Sequence, residues 1–485
     1  MSLSGTPITS FGVTVLCDWN ADGNYEDVIE RHRLKSLEVE FGRSVASALF
    51  GAANIPRCVL TVETYDRRYV PWYTGSPLYP NVSTGARIIV SVQFNSNSFV
   101  LFTGYVARVK PSMSRPTEVE IECEGSMSRL ARTFPVFPPY RRARVPTIID
   151  DILSTIPGLN YFVDEEGLTA EVVHYAADGT RSALEIIREL ERIGDGFFTE
   201  FPDGKLYYFG GRPPKLTGSP LRIDDGSPNA DFIYREMQAV DETFVTRMSY
   251  GGVHESKFII RKVLELAGPF AIGPQESREF GIEMSEGLLW SITGVELDGV
   301  GAFTYNVPYN DGSKAALVIT NASTTSTLVA RRLKVSGLVL LSTTRRGVAE
   351  NTAAINRLGY REVQFDASVI PYYTAKSRAE FMTDKYAAPY PIIEVTFDGL
   401  VNAEHARLPL YLRQNDVVYF GSYLLGSQVL PCYVEGFRVT IANHATYRIT
   451  YTLTKYVNQA ENVWYLGSSQ LGSGTRLWYL TNELS

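Results

Sequence analysis

FGVTVLCDW (residues 11–19), NADGNYED (20–27), RCVLTVE (57–63), DRRYVPWYTGSPLYPNVSTG (66–85), ARIIVSVQF (86–94) and FVLFTGYVARVKP (99–111) follow one another near the start of the chain. The apolar runs are short, rich in β-branched and aromatic residues, and bounded by Gly, Pro, Asn and Asp. That is the signature of strands and turns. EVEIECEG (118–125) adds one more strand. The stretch 1–135 is therefore expected to form a first β-barrel.

The whole chain agrees with that class. Of 485 residues, 45% are hydrophobic and 20% charged, so each of about three domains can build its own core. Tyr (29) and Phe (24) far outnumber Met (7), which favours pleated, half-buried surfaces. The net charge of −7 argues against sustained nucleic-acid binding, which needs a basic face. It suits a conduit that DNA passes without sticking. The start of the chain lacks a signal-peptide pattern, and no long uncharged apolar run predicts a membrane helix. Folding in a cytoplasm is expected. Cys17, Cys58 and Cys123 lie inside strand patterns and read as buried free thiols; Cys432 completes the set, with no CxxC spacing.

Downstream, SRLARTFPVFPPYRRARVP (128–146) reads as a basic, Pro-rich connector at a domain boundary. Ile148, Ile149, Ile152, Leu153 and Ile156 have helical spacing, stopped by Pro157-Gly158. Ser182 and Glu185 form a capping-box pair that opens a second helix, ended by Gly194. GFFTEF and KLYYFG flank Asp203-Gly204 as a hairpin. Together these predict a compact α/β insert at 140–215. Between 256 and 345, short strands alternate with Gly, Asn, Ser and Thr turns, predicting an inserted β-sandwich. Residues 235–255 with 346–457 are expected to form a second barrel, with a short helix carrying Ala375, Ala379 and Met382. Residues 458–485 form an aromatic tail with two WYL triplets.

Motifs for chemistry are sparse. Asp18, Asn20, Asp22 and Gly23 spell D-x-N-x-D-G, the first half of a calcium loop. The twelfth position is Ile29 instead of a bidentate Glu, and strands flank the loop. Two readings stay open: a polar hairpin turn, or a cation site in which Asp27 assists. Arg141, Arg142, Arg144, Arg331, Arg332 and Lys334 either touch DNA or form solvated edges and partner contacts; Arg345-Arg346 reads as a loop. His174 reads as a hydrogen-bonded core histidine. No HExxH, GxSxG or Walker loop occurs, so no enzyme is expected. Paired carboxylates leave no spacing signature, so a cell-wall hydrolase stays as an alternative. Trp464, Tyr465, Trp478 and Tyr479 either fold back on their own chain or dock on a partner.

The ordered phrases from FGVTVLCDW to LFTGYV resemble the first barrel of phage tail hub proteins. NDVVYF (415–420), YVEGFRVTI (433–441) and ITYTL (449–453) resemble their second barrel, and AALVITNAS with LVARRLKVSGLVL resembles their sandwich insert. The resemblance implies a mainly β fold of two hub barrels with an inserted α/β domain and an inserted β-sandwich. It implies a homotrimeric virion protein at the tail tip that matches a sixfold tube to a threefold tip and gates DNA passage. Expected partners are a distal tail protein, other tail-tip proteins and a tape-measure protein, with the host cell surface as a further contact. A receptor- or carbohydrate-binding tail component is the other alternative, since sandwiches with exposed aromatics bind sugars.

Overall fold

A computed structural model describes residues 6–25, 27–43, 52–164, 171–194, 196–210, 221–223, 232–239, 244–366, 369–422, 425, 429–443 and 445–456. The first strands are β1 (Phe11–Asp18), β2 (Asp27–Ile29), β3 (Leu34–Phe41), β4 (Arg57–Glu63), β5 (Arg87–Phe94), β6 (Asn97–Pro111) and β7 (Glu118–Glu124). A mixed segment follows: α1 (Met127–Leu130), β8 (Val136–Arg144), α2 (Val145–Ser154), β9 (Tyr161–Val163), β10 (Glu171–Asp178), α3 (Ala183–Gly194), β11 (Phe197–Glu200) and β12 (Leu206–Phe209). After β13 (Leu221–Ile223) and β14 (Phe232–Ala239) come β15 (Arg247–Ile272), β16 (Ser277–Glu283), β17 (Leu288–Val300), β18 (Phe303–Asn310), β19 (Lys314–Asn321) and β20 (Leu328–Glu350). The last part holds α4 (Thr352–Leu358), β21 (Glu362–Phe365), α5 (Tyr372–Lys385), β22 (Pro391–Asp398), α6 (Ala403–Ala406), α7 (Leu408–Tyr411), β23 (Val417–Gly421), β24 (Val429–Ala442) and β25 (Thr446–Lys455).

One 13-stranded sheet organises the molecule, in the order β14-β22-β25-β24-β3-β4-β7-β6-β5-β1-β2, with β23 joining β24 and β13 joining β23. Its strands alternate as the sequence does: in β4, β5 and β7 every second residue is buried. A single apolar core runs beneath both halves, from Val13 and Leu60 to Phe437 and Leu453.

The two halves have one design. The first half pairs β3–β4, β4–β7, β7–β6 and β6–β5; the second pairs β14–β22, β22–β25, β25–β24 and β24–β23, all antiparallel. Following the ladders, β3 corresponds to β14, β4 to β22, β5 to β23, β6 to β24 and β7 to β25. Two irregularities correspond as well, while the shift between Val90 and Ser91 belongs to the first half alone. The shift between Leu34 and Ser36 falls where β14 has one between Phe232 and Tyr234. The shift between Val106 and Arg108 falls where β24 has one between Val434 and Gly436. Bulges are placed features of a strand, so their coincidence marks a duplicated module. The halves part company at their outer strand: β1 runs antiparallel to β5, whereas β13 runs parallel to β23.

The expected division needs correcting in four places. Residues 247–255 and 346–365 do not join the second module. β15 pairs with β20 and β21 in a separate four-stranded sheet, and α5 packs on its base. Two glycines allow that approach: a Cβ on Gly252 would lie 2.7 Å from the Tyr372 Cα, and one on Gly347 2.6 Å from the Lys376 Cα. Met248, Tyr250, Ala375 and Ala379 thereby share a core with α2 and α3. The sandwich, sheets β17-β20-β15 and β16-β19-β18, has no boundary at 256 or 345. No Gly or Pro punctuates 253–267, so β15 continues as a 26-residue strand. The second module also takes in β13, which lies outside the range expected for it. Lastly, the connector at 128–146 holds α1 and β8; among the described residues β8 pairs only with β10, an edge position that tolerates Pro138 and Pro139. The capping box forms as expected: the Ser182 N–H donates to Glu185 Oε2 at 2.8 Å and the Glu185 N–H to Ser182 Oγ at 3.3 Å.

Candidate assembly interface

The two modules meet along β3 and β24, which pair antiparallel from Phe41 opposite Phe437 to Ser36 opposite Ala442. Leu37, Val39 and Phe41 point into the core, so Glu38 and Glu40 point outward. Arg438 crosses the junction on that outer face, with Nε 3.4 Å from Glu38 and Nη2 3.4 Å from Glu40. On the inner face the Phe41 and Phe437 rings stack at 5.1 Å. Gly436 makes room at the end of the ladder, because a Cβ there would lie 2.4 Å from the Phe41 carbonyl oxygen. Phe11 on β1 stacks on Tyr447 of β25 at 5.3 Å, a second contact between halves. None of these residues stands out in the sequence; alternating charge on an outer strand face was the available signal.

Two buried carboxylates weld the α/β part to the first module. Glu191 of α3 accepts from Arg43 Nη2 at 2.5 Å and from the Phe198 N–H at 3.0 Å. Glu200 accepts from the Ser126 and Met127 N–H groups at 2.6 and 2.8 Å. Burial pushes the Glu200 carboxyl up to about 8, against the pull of those two donors.

The acidic turn spends its oxygens locally. Asp18 accepts from the N–H groups of Asp22 (3.2 Å) and Gly23 (3.1 Å), and Asp22 accepts from the Asn24 N–H at 2.7 Å. Asn20 donates to Asp22 at 3.1 Å. Asp27 turns away, accepting from Trp19 Nε1 at 3.1 Å and facing Arg68 at 3.6 Å. Among the described residues, no group of three or more His, Cys, Asp or Glu converges as metal ligands. Arg68 and buried Tyr69 come from the DRRY phrase, which folds back under the barrel, and Asp66 is clasped by Arg33 at 3.0 and 3.2 Å.

The remaining candidates scatter. Arg141 lies over the Phe258 ring at 4.5 Å, Arg332 pairs with Glu265, and Lys334 pairs with Glu296 at 3.1 Å. Arg142, Arg144 and Arg331 are exposed, and no basic cluster assembles from the set. Arg345 and Arg346 sit within β20, opposite Gly252 and Gly251, and not in a loop. His174 is half-buried opposite Arg141; its Nδ1 has no hydrogen-bond partner among the described residues, and burial holds its pKa below the usual value. All four cysteines are buried and free. Trp464, Tyr465, Trp478 and Tyr479 lie outside the described residues.

No protein-family model matches the sequence, and no curated protein sequence matches it. Solved structures do. The fold is similar to that of the 43 kDa tail protein of prophage MuSo2 from Shewanella oneidensis, at 11% identity and a TM-score of 0.51, covering 92% of this chain and 98% of that one. It is equally similar to a tail protein from Neisseria meningitidis MC58, at 8% identity and a TM-score of 0.51, covering 92% and 97%. The chain thus has the fold of phage tail proteins, mainly β with small helical parts, along nearly its whole length.

Proposed function

We propose that this chain is a structural component of a phage-type tail, the hub at its tip. Three copies close into a ring of six like modules, which meets a sixfold tube on one side and a threefold tip on the other. The observation that carries this reading is the duplicated module, repeated down to two matching bulges and joined edge to edge within one chain. A closed ring of heterologous contacts is the arrangement such a chain favours, since each copy offers unlike ends. The β15–β20 arm and its sandwich decorate the ring.

The role is mechanical and not catalytic. The hub joins a distal tail protein above, holds other tail-tip parts and the end of a tape-measure protein, and lets DNA pass during ejection. The acidic balance of the chain lowers the affinity of such a lumen for phosphates. Assembly takes place in the host cytoplasm, and the mature site is the virion tail tip, facing the host cell surface. The test is native mass spectrometry of the full chain, alone and mixed with tail-tube protein. A three-chain species is expected; a chain that stays monomeric at micromolar concentration in both samples refutes the reading.

A further inference from the structure

Each strand of the internal junction has a counterpart whose matching edge meets no strand among the described residues. β3 pairs on both sides, with β4 and β24, whereas its counterpart β14 pairs, among the described residues, only with β22. β24 pairs with β23 and β25 and, further along the same edge as β23, with β3; its counterpart β6 pairs, among the described residues, only with β5 and β7. In both strands that edge opens at the same place. Val106 exchanges hydrogen bonds with Ala86 and Gly85, and Val434 does so with Asp416 and Asn415. Beyond these, Phe437 to Ala442 take up β3, while Ala107 to Pro111 face no strand among the described residues.

Resting on the ring reading above, we propose that neighbouring copies join by antiparallel pairing of the open edge of β6 in one copy with β14 in the next. Carrying over the internal register sets Val109 opposite Ala239, Lys110 opposite Gln238, and Pro111 opposite Met237.

The backbone phase suits this. The Ser112 N–H donates to the Glu118 carbonyl at 3.0 Å, so Lys110 and Arg108 point their polar backbone groups at β7. Val109 therefore turns its N–H and C=O toward the open edge, where buried polar groups in an assembly require partners. The charges correspond in part. Lys110, which also pairs with Glu120 and Glu122 of β7, is the counterpart of Arg438; Glu236 is the counterpart of Glu38, and the neutral Gln238 that of Glu40. The second junction is the shorter of the two. Arg108 stands where Gly436 admits the close approach of Phe41, and Pro111 stands where Val439 offers an N–H. A chain with a long internal ladder and a short external one parts first between copies.

The test is the full chain carrying K110C and Q238C together. Directly opposed residues on paired strands lie about 4.5–5.5 Å apart at Cα, within disulfide reach. The native cysteines are buried, so the engineered pair carries the reaction. Mild oxidation is expected to give covalent multiples ending at three chains, with each single variant uncrosslinked. Intact three-chain rings without crosslinks overturn the edge assignment and leave the ring reading standing. A covalent series ending at another number keeps the edges and refutes the three-chain count. Absence of both rings and crosslinks overturns both. In the unmodified protein, exchange of the Val109 amide should slow at least about tenfold on assembly; unchanged exchange in assembled rings overturns the pairing.

Discussion

Replacing Arg43 with Met tests how firmly the α/β part is anchored to the duplicated modules. The Arg43 and Glu191 side chains are 6% and 2% exposed and touch at 2.5 Å. At an effective dielectric of about 20, two unit charges about 3 Å apart attract by about 5 kcal/mol, which roughly offsets what it costs to desolvate them. The pair adds little net stability while both partners are present. Without Arg43, Glu191 keeps its burial, the Phe198 N–H and the more distant charge of Arg188 but loses the cation in contact with it. R43M should therefore cost about 3–5 kcal/mol, a large part of a typical total of about 5–15 kcal/mol. Adding E191Q should restore most of that loss, because a neutral amide fills the same space. A chain with several cores need not unfold in one step, so the readout is native-state hydrogen exchange of the α3 amides. A loss below about 1 kcal/mol for R43M, or a double variant no better than the single, refutes the reasoning.

Glu200 gives the chain a pH dependence. Its folded pKa of about 8 stands above that of an unfolded Glu, so the folded state holds the extra proton between about pH 4.5 and 8. Its contribution is fully present below that window and is lost as pH rises through it. Melting-temperature scans of E200Q against the wild type should show the variant gaining as pH rises toward 8; parallel curves contradict this. G347V should lift α5 off the β15–β20 base and cost more than about 2 kcal/mol, read by exchange of the α5 amides. S182A removes the α3 cap and should cost about 1 kcal/mol, read by the same exchange at the start of α3. Glycan arrays with the full chain should show no specific binding if the sandwich is only decoration; saturable binding would favour the receptor-binding alternative.

Much of the fold was legible because local rules decided it. The alternation in RIIVSVQF, the Ser182–Glu185 box and the Asp203-Gly204 turn each act over a few residues, and each formed where expected. Domain edges were not legible, because β15 and β20 pass from one core to another as unbroken strands, with Gly252 and Gly347 lying inside the ladder and not in turns. The junction was hidden for a different reason. Its residues satisfy only outward charge and inward apolarity, so Arg438 and Arg108 look alike until the ladders separate them. The acidic turn resembled half a calcium loop because a tight turn and a cation shell both call for short oxygen-bearing side chains. The hydrogen bonds of Asp18 and the turn of Asp27 onto Trp19 became visible only with coordinates.

The most direct measurement is a cryo-EM reconstruction of the assembled protein, computed without imposed symmetry and viewed down the ring axis. Six similar lobes around an open channel, alternating in kind and repeating every 120° about the axis, are expected if each chain contributes two like modules to a three-chain ring. A filled axis, or lobes whose number is not twice the number of chains, would contradict it.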